Sequence, residues 1–232
     1  MKTVANLAGA GVVVMVAAGF GFQASAGPVA SNDTLRALET FLNRPVGVHS
    51  YRAARRLEAS GSGQTGWLHA QTSFTPAAGL RYEITAEGGS KYIRSRVLRS
   101  LLEAERQLIA GGGSDGAAVS RANYRLTPEA LATGGLARVA LAPLRKERPL
   151  IVGRMFLTAQ EGQLVRLEGR LAKNPSFWVT RVDVIRTYRR LNGVDMPVSL
   201  ESVAQLRFLG RSTLRMTYHY SDVDHRAVTD DQ

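Results

Sequence analysis

The stretch from Leu150 to Tyr220 alternates strand-like runs with tight turns and shows no helical period, which restricts the chain to folds built on antiparallel hairpins. Ile151 to Ala159 is closed by Glu161-Gly162, and Gln163 to Leu171 follows at once. Phe177 to Arg190 is closed by Asn192-Gly193, a pair suited to a type I′ turn because both central residues need positive φ. Val198 to Leu209, a Gly210-Arg211 corner and Thr213 to Tyr220 complete a meander. In the last two strands Leu200, Ala204, Leu206 and Phe208 share one face, and Leu214, Met216, Tyr218 and Tyr220 share another. Glu201, Gln205, Arg207, Thr213, Arg215, Thr217 and His219 point away. The apolar face requires a cover.

Two amphipathic segments are available as covers. Ser31 to Asn43 reads as a short helix capped by Ser31, Asn32 or Asp33, with Leu35, Leu38, Phe41 and Leu42 on one side and Pro45 as the stop. Lys91 to Ala110 follows Gly88-Gly89 and a Ser90 cap, and the Gly111 to Gly113 run ends it. A 3.6 period puts Ile93, Val97, Leu101, Ala104 and Leu108 on one face, flanked by Leu98, Leu102 and Ile109, with Arg96, Arg99, Glu103 and Arg106 opposite. Between the two segments, Val48 to Ala59, Trp67 to Thr75 and Leu80 to Ala86 read as strands. From Asn123 strand patterning returns through Leu136 to Ala142, and Pro143 to Pro149 forms a basic connection. The acidic end, Asp222, Asp224, Asp230 and Asp231, is expected to fray. The fold class expected is α+β and mainly antiparallel β: an unclosed half β-barrel whose concave apolar face is covered by helices, Lys91 to Ala110 among them.

The first residues lie outside that globule. Lys2 precedes an apolar run from Leu7 to Phe22, and Ala24-Ser25-Ala26 is a small-x-small cleavage site, so residues 1–26 read as a signal peptide and residues 27–232 as one exported domain. The run is short for a bilayer span and is diluted by Gly9, Gly11, Gly19 and Gly21, which argues against a retained anchor. There is no cysteine, which excludes disulfides, thiolate nucleophiles, thiolate-bound zinc and the acylated cysteine of a tethered lipoprotein. A free, monomeric periplasmic protein is expected. The net charge of +11 is carried mostly by arginine. Behind an export signal this points to anionic lipid head groups, acidic envelope polymers or an envelope protein rather than to nucleic acid. Arg145, Lys146, Arg148, Arg207 and Arg215 form the candidate contact set, with a plainly solvated surface as the alternative.

The short motifs have structural readings. Gly61-Ser62-Gly63-Gln64-Thr65-Gly66 matches G-x-G-x-x-G, but a strand follows it where a dinucleotide site needs a helix, so it reads as a hairpin turn. Gly112-Gly113-Ser114-Asp115-Gly116 spells G-x-S-x-G, yet it leaves a helix where a nucleophile elbow must lead into one. His49, His69, His219 and His225 have no metal-ligand spacing, and Asp222-x-Asp224-His225 lacks the glycine and distal glutamate of a calcium loop. No catalytic residue, metal or cofactor is assigned, and the chain reads as a binding protein rather than an enzyme.

The order of elements, with the Gly153 to Gly169 strand pair and its Glu161-Gly162 turn and the run Leu191-Asn192-Gly193-Val194-Asp195-Met196-Pro197, resembles the LolA/LolB superfamily of periplasmic lipoprotein carriers, which includes RseB-like sensors. The resemblance implies an unclosed barrel whose concave face receives acyl chains, and the missing cysteine separates this chain from LolB-like anchored members. The function it implies is a non-enzymatic carrier for lipid or lipoprotein acyl chains, with a sensory envelope module that binds a protein partner as the alternative. Leu206, Phe208, Leu214, Met216 and Tyr218, roofed by Ile93, Val97 and Leu101, are the candidate cavity residues.

Overall fold

The computed structural model describes residues 31–44, 47–112, 116, 118–132, 134–147, 150–177, 179–207 and 210–228. Residues 1–26, read above as a signal peptide, lie outside these, as do Pro45, the Gly113 to Asp115 part of the G-x-S-x-G match, Arg148, Trp178, Phe208, Asp230 and Asp231. Among the described residues no helix is long and apolar enough to cross a membrane.

The N-terminal helix, Asn32–Leu42, is capped by the Ser31 side chain, which accepts from the Thr34 N–H. Three hairpin strands follow: β1 (Tyr51–Gly61), β2 (Gln64–Thr75) and β3 (Gly79–Gly89). A long helix then runs over residues 91–110 without a break, as an α-helical turn Lys91–Ile93, a π-helical stretch Arg94–Leu98 and an α-helix Arg99–Ala110. Eight more strands complete the chain: β4 (Tyr124–Pro128), β5 (Leu136–Pro143), β6 (Ile151–Thr158), β7 (Leu164–Leu171), β8 (Val179–Leu191), β9 (Val194–Leu206), β10 (Gly210–Val223) and β11 (Arg226–Ala227). All pairings are antiparallel, in the order β3-β2-β1-β10-β9-β8-β7-β6-β5-β4, with β11 beside β10.

The sheet is unclosed, since β3 and β4 are its two edges. It is nevertheless strongly curled. Tyr124 on β4 lies within electrostatic reach of Tyr188 and Arg186 on β8, four strand spacings away in sheet order. That would be about 19 Å in a flat sheet. The Asn192-Gly193 turn has φ of 51° and 88°, the left-handed pair that a two-residue type I′ hairpin demands, so β9 starts directly at Val194 rather than at Val198.

The two helices cover opposite ends of the inner face. The N-terminal helix packs Ala37 and Leu38 against Val139, Leu157 and Leu164 at the β4–β7 end. Its buried side is Thr34, Ala37 and Leu38, while Leu35, expected inside, is 45% exposed. The seat for this helix is the β6–β7 turn: Gly162 has φ of 59°, and a Cβ there would collide with the Ala37 carbonyl. Arg44 fastens the helix end to the Glu161 and Gly162 carbonyls. The long helix packs Ile93, Leu98 and Leu102 onto Leu57, Leu68 and Met216 at the β1–β3 end. Gly66 leaves room for Ile93, and Glu87 of β3 pairs with both Arg94 and Arg99 at 2.6 Å.

Asp222 and Asp224, expected to fray, are ordered. Asp222 pairs with Ala227 in the β10–β11 hairpin, and the Asp224 carboxylate accepts from the His49 and Ser50 N–H groups at 2.7 and 3.0 Å. A short acidic side chain with φ of 52° thus satisfies backbone donors leading into β1.

Candidate functional site

The inner face is apolar over most of its width, and its alternation is plain in β1, where Tyr51, Ala53, Arg55, Leu57 and Ala59 are all buried. One of those five is an arginine. Arg55 Nη1 donates to Glu105 Oε2 at 2.6 Å and Nη2 donates to Oε1 at 3.2 Å, a two-pronged pair from the floor of the sheet to the long helix. Its Nη2 also donates to the Tyr51 hydroxyl at 2.7 Å, and its guanidinium carbon sits 4.8 Å from the centre of the Tyr218 ring. Nε has no hydrogen-bond partner.

Glu105 reaches this position because of the π-helical stretch. The Arg99 N–H donates to the Arg94 carbonyl, five residues back, which inserts one residue into the helical repeat. One residue is about 100° of rotation. The inward positions therefore run Ile93, Leu98, Leu102, Glu105 and Ile109, not Ile93, Val97, Leu101, Ala104 and Leu108 as a uniform period predicts. Ala104 and Leu108 are exposed, and Val97 and Leu101 fall to the half-buried flank.

The phenols around Arg55 are perturbed by the same enclosure. Burial pushes the Tyr51 hydroxyl up to about 12 and raises Tyr218 and Tyr220 as well. Burial works against the Arg55 charge, but Glu105 and the neighbouring phenols outweigh it and hold the guanidinium firmly protonated. Tyr220 stands edge-on to Tyr51 with ring centres 5.7 Å apart, and its hydroxyl donates to the Pro197 carbonyl at 2.9 Å.

A second arginine lies further along the face. Cross-strand pairing runs Leu68, Leu57, Met216, Leu200, Arg186, Leu167, Met155 and Val139 from β2 to β5, one row in which Arg186 is the sole charged residue. Along β8 it continues the inward series Val182 and Val184 and is followed by Tyr188. Arg186 is half-buried, and the Tyr188 phenol two residues on along β8 lies within its electrostatic reach.

The structure brings six of the eight candidate cavity residues into one cluster: Met216 and Ile93 are buried within it, and Val97, Leu101, Leu214 and Tyr218 are half-buried against it. Leu206 is half-buried at the end of β9, apart from the three apolar clusters, and Phe208 lies outside the described residues. The candidate anionic-contact residues do not converge. Arg145 is engaged with Asn123, the Gly116 carbonyl and Glu147, Arg215 pairs with Glu201 at 2.6 Å, and Arg207 stacks 4.3 Å from the Phe177 ring centre. Lys146 is exposed, and β10 is four strands removed from the connection that carries Arg145 and Lys146.

Two clefts flank the site. One, about 490 Å³, lies between the edge strand β3 and the long helix and is lined by Tyr82, Ile84, Ala86, Glu87 and Arg99. The other, about 480 Å³, runs past Glu58, Trp67, Glu201, Val203, Thr213 and Arg215, on the outer side of the sheet. No group of histidine, aspartate or glutamate among the described residues is placed to hold a metal ion.

These features define a half-barrel protein whose apolar concave face carries a small charged and tyrosine-lined centre. No protein family's sequence pattern matches the chain, and no curated protein matches it. Among solved structures it is similar to a LolA superfamily protein, NE2245 from Nitrosomonas europaea, at 10% identity over 85% of this chain and 95% of that chain, with a TM-score of 0.41. It is also similar to a DUF1329 family protein from Desulfovibrio piger at 6% identity over 81% of this chain and 88% of that chain, with a TM-score of 0.34. The fold class stands on the strand order and helix placement above rather than on these two likenesses.

Proposed function

We propose that this chain is a non-enzymatic, exported periplasmic carrier for lipid or lipoprotein acyl chains. The observation that supports it is a belt of half-buried apolar side chains at the margin of the long-helix end: Val97 and Leu101 on the helix, and Leu200, Leu214 and Tyr218 on the sheet. Leu200 packs against the clusters at both ends, so the belt is continuous with each. Each acyl methylene taken up there contributes about 0.8 kcal/mol, so part of a fatty chain suffices for useful affinity. The outer-face arginines favour this reading over a charge-driven surface, because Arg56, Arg154, Arg166, Arg181 and Arg215 each pair with a carboxylate.

Arginine substitutions at two neighbouring inner positions test the reading with a fluorescent fatty-acid probe. Leu214 is half-buried, so Leu214→Arg should fold, as judged by circular dichroism, and lose the probe. Met216 is 1% exposed, so Met216→Arg should fail to fold, since an unpaired buried charge costs several kcal/mol. A folded Leu214→Arg protein that binds the probe like the parent would overturn the carrier reading.

A further inference from the structure

Arg186 occupies a position where a charge is costly. Its cross-strand neighbours are Leu200 and Leu167, its neighbours two residues away on β8 are Val184 and Tyr188, and the row it belongs to is otherwise apolar from β2 to β5. A buried arginine is ordinarily matched by a carboxylate, as Arg55 is by Glu105. No carboxylate among the described residues forms an ion pair with Arg186. Glu105 acts on it electrostatically, but both its oxygens are already taken by Arg55. The centre of the face thus holds two guanidinium groups against one carboxylate, with Tyr51, Tyr124, Tyr188, Tyr218 and Tyr220 as the other titratable groups around them.

The position of Arg186 is also the one neither helix claims. The N-terminal helix packs on β4 to β6 and the long helix on β1 to β3, leaving β8 between them, and Arg186 remains half-buried rather than sealed. A planar fork of donors standing among leucines, half-buried and short of one negative charge, is complementary to the anionic end of a molecule whose remainder is apolar.

We propose that Arg186, with the Tyr188 hydroxyl beside it, seats the anionic head group of a single-chain amphiphile whose alkyl tail lies along the adjoining apolar row. The shared chemistry is a carboxylate or phosphate oxygen pair facing the guanidinium. This deepens the carrier reading and rests on it: it names a charged amphiphile as cargo where that reading requires only an acyl chain.

The test compares ligands of one tail and different heads in displacement of the fluorescent probe from the intact protein. Oleate, oleoyl lysophosphatidate, oleyl alcohol and inorganic phosphate are the arms. One charge-assisted fork should favour the charged amphiphiles over oleyl alcohol by about tenfold or more. The tighter of oleate and lysophosphatidate then identifies the head group. Arg186→Gln should bring the ratio of charged to uncharged amphiphile toward one, and Arg186→Lys, which keeps the charge but not the fork, should fall between. Equal binding of oleate and oleyl alcohol by the parent protein would overturn this inference and leave the carrier reading standing. Inorganic phosphate competing as well as lysophosphatidate would overturn it too, by showing that the tail contributes nothing. Failure of every tailed ligand to bind would overturn both. The ligand comparison on the parent protein decides the matter even if a variant does not fold.

Discussion

Arg55 and Glu105 join the floor of the sheet to the helix above it through two hydrogen bonds of 2.6 and 3.2 Å, and the arginine side chain is 1% exposed while the glutamate is 31% exposed. Removing only the carboxylate leaves a buried charge without its counterion. Glu105→Ala should therefore cost about 2–4 kcal/mol, below the full range for sealed pairs because Glu105 is partly solvated. The double variant Arg55→Met with Glu105→Leu should recover most of that loss. Urea denaturation checks both, and a double variant no more stable than Glu105→Ala would show that the pair is not the source of the effect.

The π-helical stretch makes a sharper prediction about the long helix. Deleting the exposed Arg96 turns the five-residue step from Ile93 to Leu98 into the four-residue step of an ordinary α-helix, and leaves Leu98, Leu102, Glu105 and Ile109 in phase with one another. The shortened protein should fold, with stability within about 1 kcal/mol of the parent. Inserting one alanine after Arg99 should instead rotate Leu102 and Glu105 off the sheet and lower the thermal midpoint markedly. Equal tolerance of both changes would mean that helix phase does not matter here.

Much of the architecture was legible locally. The Asn192-Gly193 turn, the Ser31 and Ser90 caps and the alternation from Leu80 to Thr85 are each set by residues within a few positions of one another and appear as expected, whereas a register shift in the β2–β3 pairing leaves Ala86, expected inside, exposed. The charged centre was harder to see for two reasons. A uniform 3.6 period placed Ala104 where the π-helical step places Glu105. Arg55 and Arg186 stand at inward positions of alternating strands, next to Leu57 and Val184 in the pattern, and that signal was present. An arginine gives no local sign of its own that it takes an inward position, and Ala54 blurs the alternation in β1. That Arg186 faces Leu200 and Leu167 depends on strand register, which no local motif specifies.

Alkaline titration should report the enclosed centre. Tyr51, Tyr82, Tyr124, Tyr218 and Tyr220 all have hydroxyls pushed up by burial, Tyr51 to about 12. A phenol whose folded value lies above its unfolded value of about 10 gives stability that is fully present below pH 10 and is lost as pH rises through the folded value. Absorbance of phenolate should therefore lag that of the denatured protein above pH 10, and stability should decline between pH 10 and about 12. Coincident titration curves for folded and denatured protein would remove the enclosed tyrosine centre.

The central claim is that the concave face holds an apolar cargo, and native mass spectrometry of protein purified from its own host tests it most directly. The account predicts a bound species with the added mass of a lipid or fatty acid, displaced by excess oleate and absent from Leu214→Arg. A parent protein that flies at its bare polypeptide mass, and that also fails to take up the fluorescent fatty acid afterwards, would contradict it.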